Sequence, residues 1–203
     1  MKFLLTILMV GASFMLVAAE KPFIDPLVVV KETTGKVLER VRSDKESLKE
    51  DPGKMFELVS EFIFPHFDFN VMSRFVLGSE WKALTTEVQL DFISQFRKLL
   101  VRTYASALLE FSDQKIAYPE KERKIGEKTA KITQRITGEN GEPMLISYRL
   151  HRKDSGWAVF DVSVSGVSLV KTYRASFQSI VKSDGIDSLL SSLRSKNEKY
   201  GNL

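Results

Sequence analysis

Apolar side chains recur along this chain with two different periods, and the change from one to the other falls near Phe111. Before that point the spacing is helical. Leu27, Val30, Val37, Leu38 and Val41 recur at near-helical intervals between Asp25 and Asp44, with Lys and Glu among them, which predicts a first helix. Asp51-Pro52-Gly53 is a turn and N-cap signal, and Met55, Leu58, Val59, Phe62 and Ile63 then form a second amphipathic stripe that Pro65 ends. Asp68 is placed to cap a third, short helix carrying Val71, Met72 and Phe75. The longest helix starts at Thr85 or Thr86. Its wide apolar face carries Phe92, Ile93, Phe96, Leu99, Leu100, Tyr104, Leu108 and Phe111, with Asp91, Gln95, Lys98 and Arg102 opposite.

Beyond Phe111 the period falls to two. Residues 115–118, 128–137, 143–152 and 156–165 read as strands, and the turn signals Gly138-Glu139-Asn140-Gly141 and Lys153-Asp154-Ser155-Gly156 join the last three into an antiparallel meander. In the third, Met144, Ile146, Tyr148 and Leu150 share one face against Ser147, Arg149 and His151. In the fourth, Phe160, Val162 and Val164 share a face against Asp161, Ser163 and Ser165. The pattern breaks at Gly166 into a helix with Val167, Val170, Tyr173, Phe177 and Ile180, a stop at Gly185, and a second helix with Ile186, Leu189, Leu190 and Leu193. Helices, then a sheet of about four antiparallel strands, then closing helices predict an α+β fold. No internal repeat interrupts it.

The N-terminus changes the picture of where the protein works. Lys2 precedes an apolar or small run from Phe3 to Val17, and Val17-Ala18-Ala19 stands directly before Glu20-Lys21-Pro22. A positive start, an apolar run too short to span a membrane comfortably, and small residues at the end make residues 1–19 a cleavable signal peptide. Residues 20–203 then form the mature chain as one domain, exported to the periplasm and monomeric. The sequence has no Cys, which excludes disulfides, thiol catalysis and thiolate metal sites. The formal charge of +4 falls to about +3 without Lys2, and only Lys121 to Lys124, reading KERK, clusters basic residues. Export argues against nucleic acid, and the cluster reads as a solvated turn.

Little in the chain offers chemistry. His66 and His151 are the only histidines, and neither has a second ligand at metal-binding spacing. There is no G-x-S-x-G, no Gly-rich phosphate loop and no H-E-x-x-H, so no cofactor or metal is indicated. Asp161 alone suggests an enzyme. A mid-strand carboxylate beside Trp157 and Val159 would suit a general base if buried, or a hydrogen-bonded tie between the sheet and a helix.

Two blocks carry a family resemblance: residues 63–111, with Phe75-Val76-Leu77-Gly78, Trp81 and the long helix bearing Tyr104; and residues 156–193, with the W-x-x-x-D-V strand from Trp157 to Val162 and Gly166-Val167-Ser168 before the closing helices. Together they resemble the MlaC or toluene-tolerance family of periplasmic phospholipid carriers. The arrangement is also similar to cone-shaped NTF2-like folds, in which a curved sheet wraps around a helix and leaves an apolar cavity. The resemblance implies that Phe75, Trp81, Phe96, Leu100, Tyr104, Ile146, Tyr148, Val162, Val164, Val167 and Val170 line an acyl-chain cavity between the long helix and the sheet. It implies a carrier, not an enzyme, that moves phospholipid between an inner-membrane lipid-transporter complex and an outer-membrane lipoprotein–porin complex, maintaining outer-membrane asymmetry. Asp161 fits the structural role in that pattern. A module for another apolar ligand, such as a quinone or sterol-like molecule, an enzyme using Asp161, and a scaffold with a filled core are the other readings the residues allow.

Overall fold

The computed structural model describes residues 24–111, 113–137 and 143–198; the signal peptide expected over residues 1–19 and the turn expected at 138–141 lie outside them. Local chemistry starts the helices where the sequence places them. In α1 (Pro26–Ser43) the Asp25 carboxylate accepts from the Leu27 N–H at 2.8 Å, and Pro26 fills the first position, where no N–H is needed. Asp51 and Pro52 repeat the device for α3 (Pro52–Phe62), with a 2.8 Å bond from the Gly53 N–H. Between them lies α2 (Lys45–Glu50), which the sequence pattern does not predict, because six residues with Leu48 alone buried show no period. Asp68 caps α4 (Phe69–Leu77) by accepting from the Val71 N–H at 3.0 Å. The long helix is α5 (Thr86–Phe111), and α6 (Leu169–Glu198) is broken at Gly185, whose φ of 81° and ψ of 170° end one helix and begin the next.

The sheet contains β1 (Lys115–Ala117), β2 (Lys124–Ile125), β3 (Thr129–Thr137), β4 (Met144–Lys153), β5 (Gly156–Val164) and β6 (Val167–Ser168). Its order is β1-β3-β4-β5-β6, with β2 also paired to β3, and every pairing is antiparallel. β2 and β6 have two residues each, too few to show alternation. Val167 is therefore a strand residue opposite Val164, not the start of the closing helix.

A β-bulge corrects the expected faces of β5. Arg149 pairs with Asp161 but Leu150 pairs with Val159, so Phe160 is an extra residue and the alternation changes phase across it. Val159 consequently shares the inner face with Val162 and Val164. Phe160 lies on the other side, with its ring 5.8 Å from those of Phe75 and His151 and the Arg149 guanidinium 4.7 Å from its centre. β6 reaches only Ser163 and Val164, and the earlier part of β5 is flanked by a bridge from Phe67 to Val159, where the Asp68 N–H donates to the Val159 carbonyl at 2.8 Å.

Three apolar clusters hold the elements together. One joins α4, α5 and α6 through Met72, Phe92, Phe96, Phe177 and Leu189; a second joins the inner face of the sheet to α1; a third joins α1 to α3 and the later part of α5. Gly78 caps the C-terminus of α4 with φ +65°, and a Cβ there would run into the Gln178 side-chain amide of α6. The positive φ is the feature that favours glycine there.

Candidate functional site: an uncharged cavity between sheet and helices

The three clusters do not meet in the middle. They surround a cavity of about 540 Å³ between α1, α3 and α5 on one side and the inner face of β3 to β6 on the other. α1 contributes Val29, Val30, Thr33, Thr34, Val37 and Leu38, a contiguous helical face. α5 contributes Leu100, Val101, Tyr104, Ala107 and Leu108, and β4 and β5 contribute Ile146, Tyr148, Val159, Val162 and Val164. No Asp, Glu, Lys or Arg is among the lining residues described.

Of the residues expected at such a cavity, Leu100, Tyr104, Ile146, Tyr148, Val162, Val164 and Val167 line it. Phe75, Trp81, Phe96 and Val170 do not. Phe96 is fully buried between α5 and α6, with Phe92, Tyr173 and Phe177 around it at ring distances of 5.7, 5.3 and 6.1 Å. The reason is helical drift: an i, i+4 series rotates by about 40° per step, so Phe96 and Tyr104 stand about 80° apart on the helix. Trp81 packs edge-on to Phe92, Val170 joins the same cluster, and Phe75 is 45% exposed beside Phe160.

Residues that the sequence pattern did not single out complete the wall. Gln134, 1% exposed, donates through Nε2 to the Thr34 hydroxyl at 2.5 Å and the Tyr118 hydroxyl at 3.1 Å, and accepts from the Tyr148 hydroxyl at 2.9 Å. Among the described residues the Thr33 hydroxyl, itself buried, has no hydrogen-bond partner. The signal for both was an interruption. The α1 stripe runs Val30 to Val37 with Thr33 and Thr34 where its period calls for apolar residues, and Gln134 interrupts Ala130, Ile132 and Ile136 on β3.

Titratable groups of the wall are held neutral. Burial pushes the Tyr104 hydroxyl up to about 12, with Tyr173 beside it adding to the effect, and raises Tyr148 further, with Tyr118 as its neighbour. His66 also lines the cavity, and burial lowers its pKa, helped by Lys36 and opposed by Glu32. Asp161 is outside the wall. Its carboxylate is 2% exposed and accepts from the Ser168 hydroxyl at 2.7 Å and the Val170 N–H at 3.2 Å, with Arg149 at 3.7 Å. That arrangement ties β5 to the first turn of α6, the structural role of the two weighed from sequence.

The family model described as MlaC protein matches residues 31–195 of this chain. The chain belongs to the MlaC family. A curated relative, the intermembrane phospholipid transport system binding protein MlaC of Haemophilus influenzae, is 27% identical over 173 residues, 83% of this chain and 80% of that protein. The toluene tolerance protein ttg2D of Pseudomonas putida is 27% identical over 184 residues, 90% and 83% of the two chains. A solved structure of similar shape is the phospholipid-binding protein of Ralstonia solanacearum in complex with a phospholipid, with a TM-score of 0.80 and 28% identity over 88% of this chain and all of that one. In this MlaC-family chain the α+β architecture and the cavity rest on the same elements, α1, α3, α5 and β3 to β6.

Proposed function

We propose that this protein is a phospholipid carrier that holds acyl chains in the cavity between α5 and the sheet. The observation that carries the reading is a wall without a charged side chain around about 540 Å³, in a chain whose Haemophilus influenzae relative is named a phospholipid transport system binding protein and whose structural neighbour was solved with a phospholipid. The exported, mature protein is residues 20–203, one domain and a monomer, working in the periplasm after cleavage behind Ala19. There it moves lipid between an inner-membrane lipid-transporter complex and an outer-membrane lipoprotein–porin complex, and so maintains the asymmetry of the outer membrane. Among the described residues no helix is long and apolar enough to cross a membrane.

The physics favours a carrier. Two acyl chains with ~30 methylenes between them cost on the order of 25 kcal/mol to expose to water, at ~0.8 kcal/mol per CH₂. Free lipid crosses an aqueous gap too slowly to be useful. A dry cavity removes that cost, and because it is nearly as apolar as a bilayer, loading and unloading stay close to neutral.

Mass spectrometry of organic-soluble material that copurifies with the exported protein tests the reading. Diacyl phospholipid in near-stoichiometric amount is the expected result. A quinone or sterol-like species in its place, or no ligand from a protein whose core is filled, would sink it.

A further inference from the structure

α1 borders the hollow while its two halves belong to different bodies of the protein. The first half is held by the sheet: Val30 packs with Ile132, Trp157 and Val162, and Trp157 Nε1 donates to the Ile24 carbonyl at 2.9 Å, just ahead of the helix. Thr34, hydrogen-bonded to the Gln134 amide on β3, continues that attachment. The second half is held by helices. Val37 and Val41 pack with Leu58 and Val59 of α3 and Val101 of α5, in a cluster with no sheet residue among those described. Gly35 and Lys36 therefore stand where attachment passes from one body to the other.

The helix is weakest at that boundary. Thr33, Thr34 and Gly35 follow one another near the middle of α1, and an interior glycine lowers the helix equilibrium constant roughly fivefold relative to alanine. Packing does not call for it: a Cβ at residue 35 would meet no atom within 4 Å, and the backbone there continues the helix without a positive φ. Freedom to bend is what glycine retains at such a position. That freedom has a use here. The hollow lies between sheet and helices, so admitting a ligand whose chains finish inside it requires those bodies to part. Asp161 ties β5 to α6 and Asp68 ties β4 to α4, whereas α1 is what bridges β3 to α3 and α5. A straight α1 opposes separation on that side; a bend at Gly35 permits it.

We propose that α1 is a hinged strap: it bends at Gly35, with residues 26–34 moving with the sheet and residues 36–43 staying with α3 and α5, and the bend parts the wall for lipid to enter and leave. The hinge rests on the carrier reading. It makes the straight helix of this structure the closed state, and the rate of bending a limit on the rate of lipid exchange.

The test follows transfer of pyrene-labelled phosphatidylethanolamine from donor to acceptor phosphatidylglycerol vesicles by the exported protein, beside its melting temperature and its lipid content at equilibrium. Gly35→Ala places a methyl group in open space and strengthens the helix, so the variant is expected to melt higher than the parent. Its transfer rate is expected to fall roughly threefold to fivefold, with equilibrium lipid content unchanged. The sequence has no Cys, so a bridged pair of introduced thiols separates bending from stability. Glu32→Cys with Lys36→Cys, both exposed and one turn apart across Gly35, is expected to slow transfer when joined by a xylene linker. Lys36→Cys with Arg40→Cys, joined in the same way, lies wholly in the second half of α1 and is expected to leave the rate unchanged. A Gly35→Ala variant that melts higher yet transfers lipid at the parent's rate, or two bridges that slow transfer equally, overturns the hinge and leaves the carrier reading in place. A parent that takes up no labelled lipid overturns both.

Discussion

Val162 and Phe96 are both buried apolar side chains, at 9% and 0% exposure, yet opposite substitutions test them. Val162 and Ile146 border the hollow, so Val162→Trp or Ile146→Trp extends into space rather than into packed atoms. Each is expected to displace copurifying lipid while the protein stays folded, read by lipid quantification beside thermal melting. In a filled core the same enlargement costs typically ~1–3 kcal/mol, and strong destabilisation with lipid content unchanged would remove both residues from the wall. Phe96 has rings on three sides, and Phe96→Ala should lose about 3–5 kcal/mol in denaturant unfolding. Asp161 makes a third case. Asp161→Asn retains an acceptor for Ser168 or Val170, whereas Asp161→Leu strands both donors at about 1–3 kcal/mol each. Equal stability of the two variants would refute the tie between β5 and α6.

At the scale of elements, α4 is held at both ends by features that local sequence starts and tertiary contacts complete. Asp68 caps its N-terminus and also receives Lys153 Nζ at 2.9 Å and His151 Nε2 at 3.1 Å from β4. Burial alone would raise the Asp68 pKa, but the Lys153 and His151 contacts and the Val71 N–H together bring it below the ordinary 3.8. A folded pKa below the unfolded one gives stability that is present above pH 3.8 and is lost as pH falls through the folded value. The stability difference between the parent and Asp68→Asn is therefore expected to shrink below that pH, and a difference that is constant down to full protonation would contradict the assignment. At the other end, Gly78→Ala meets an unfavourable positive φ and the Gln178 amide together. A loss of more than about 1 kcal/mol is expected from the backbone conformation, since φ 65° with ψ −127° lies outside the left-handed helical region, while the amide end of Gln178 can swing aside.

At the scale of the molecule, the same apolarity that suits the cavity to the acyl chains proposed for it denies it a direction. Transfer from bilayer to cavity and back exchanges one apolar medium for another. The purified protein should then equilibrate labelled phospholipid between donor and acceptor vesicles at equal rates in both senses, and no nucleotide-binding motif in the chain suggests otherwise. A persistent one-way accumulation between identical vesicles, without a partner complex, would contradict this account.

Local chemistry made much of this architecture legible in the chain. Asp-Pro at residues 25–26 and 51–52, Asp68 before α4, the glycine at 185 and the alternation of β4 are short-range signals, and they mark element starts, stops and faces without reference to neighbours. The motifs around Phe75 to Trp81 and Trp157 to Val162 were enough to reach the family. Periodicity states that a side chain is buried, but not against what. Phe96 and Leu100 belong to one apolar stripe, and only the placing of α6 against α5 sends the first into a packed aromatic cluster and leaves the second at the hollow. The bulge at Phe160, which reverses the faces of β5, arises from pairing with β4 and leaves no trace in the alternation itself. Thr34 and Gln134 lie 100 positions apart and look like separate flaws in two stripes; the tertiary structure makes them hydrogen-bond partners in one wall, because burial of a polar group is tolerable only where partners from distant segments converge.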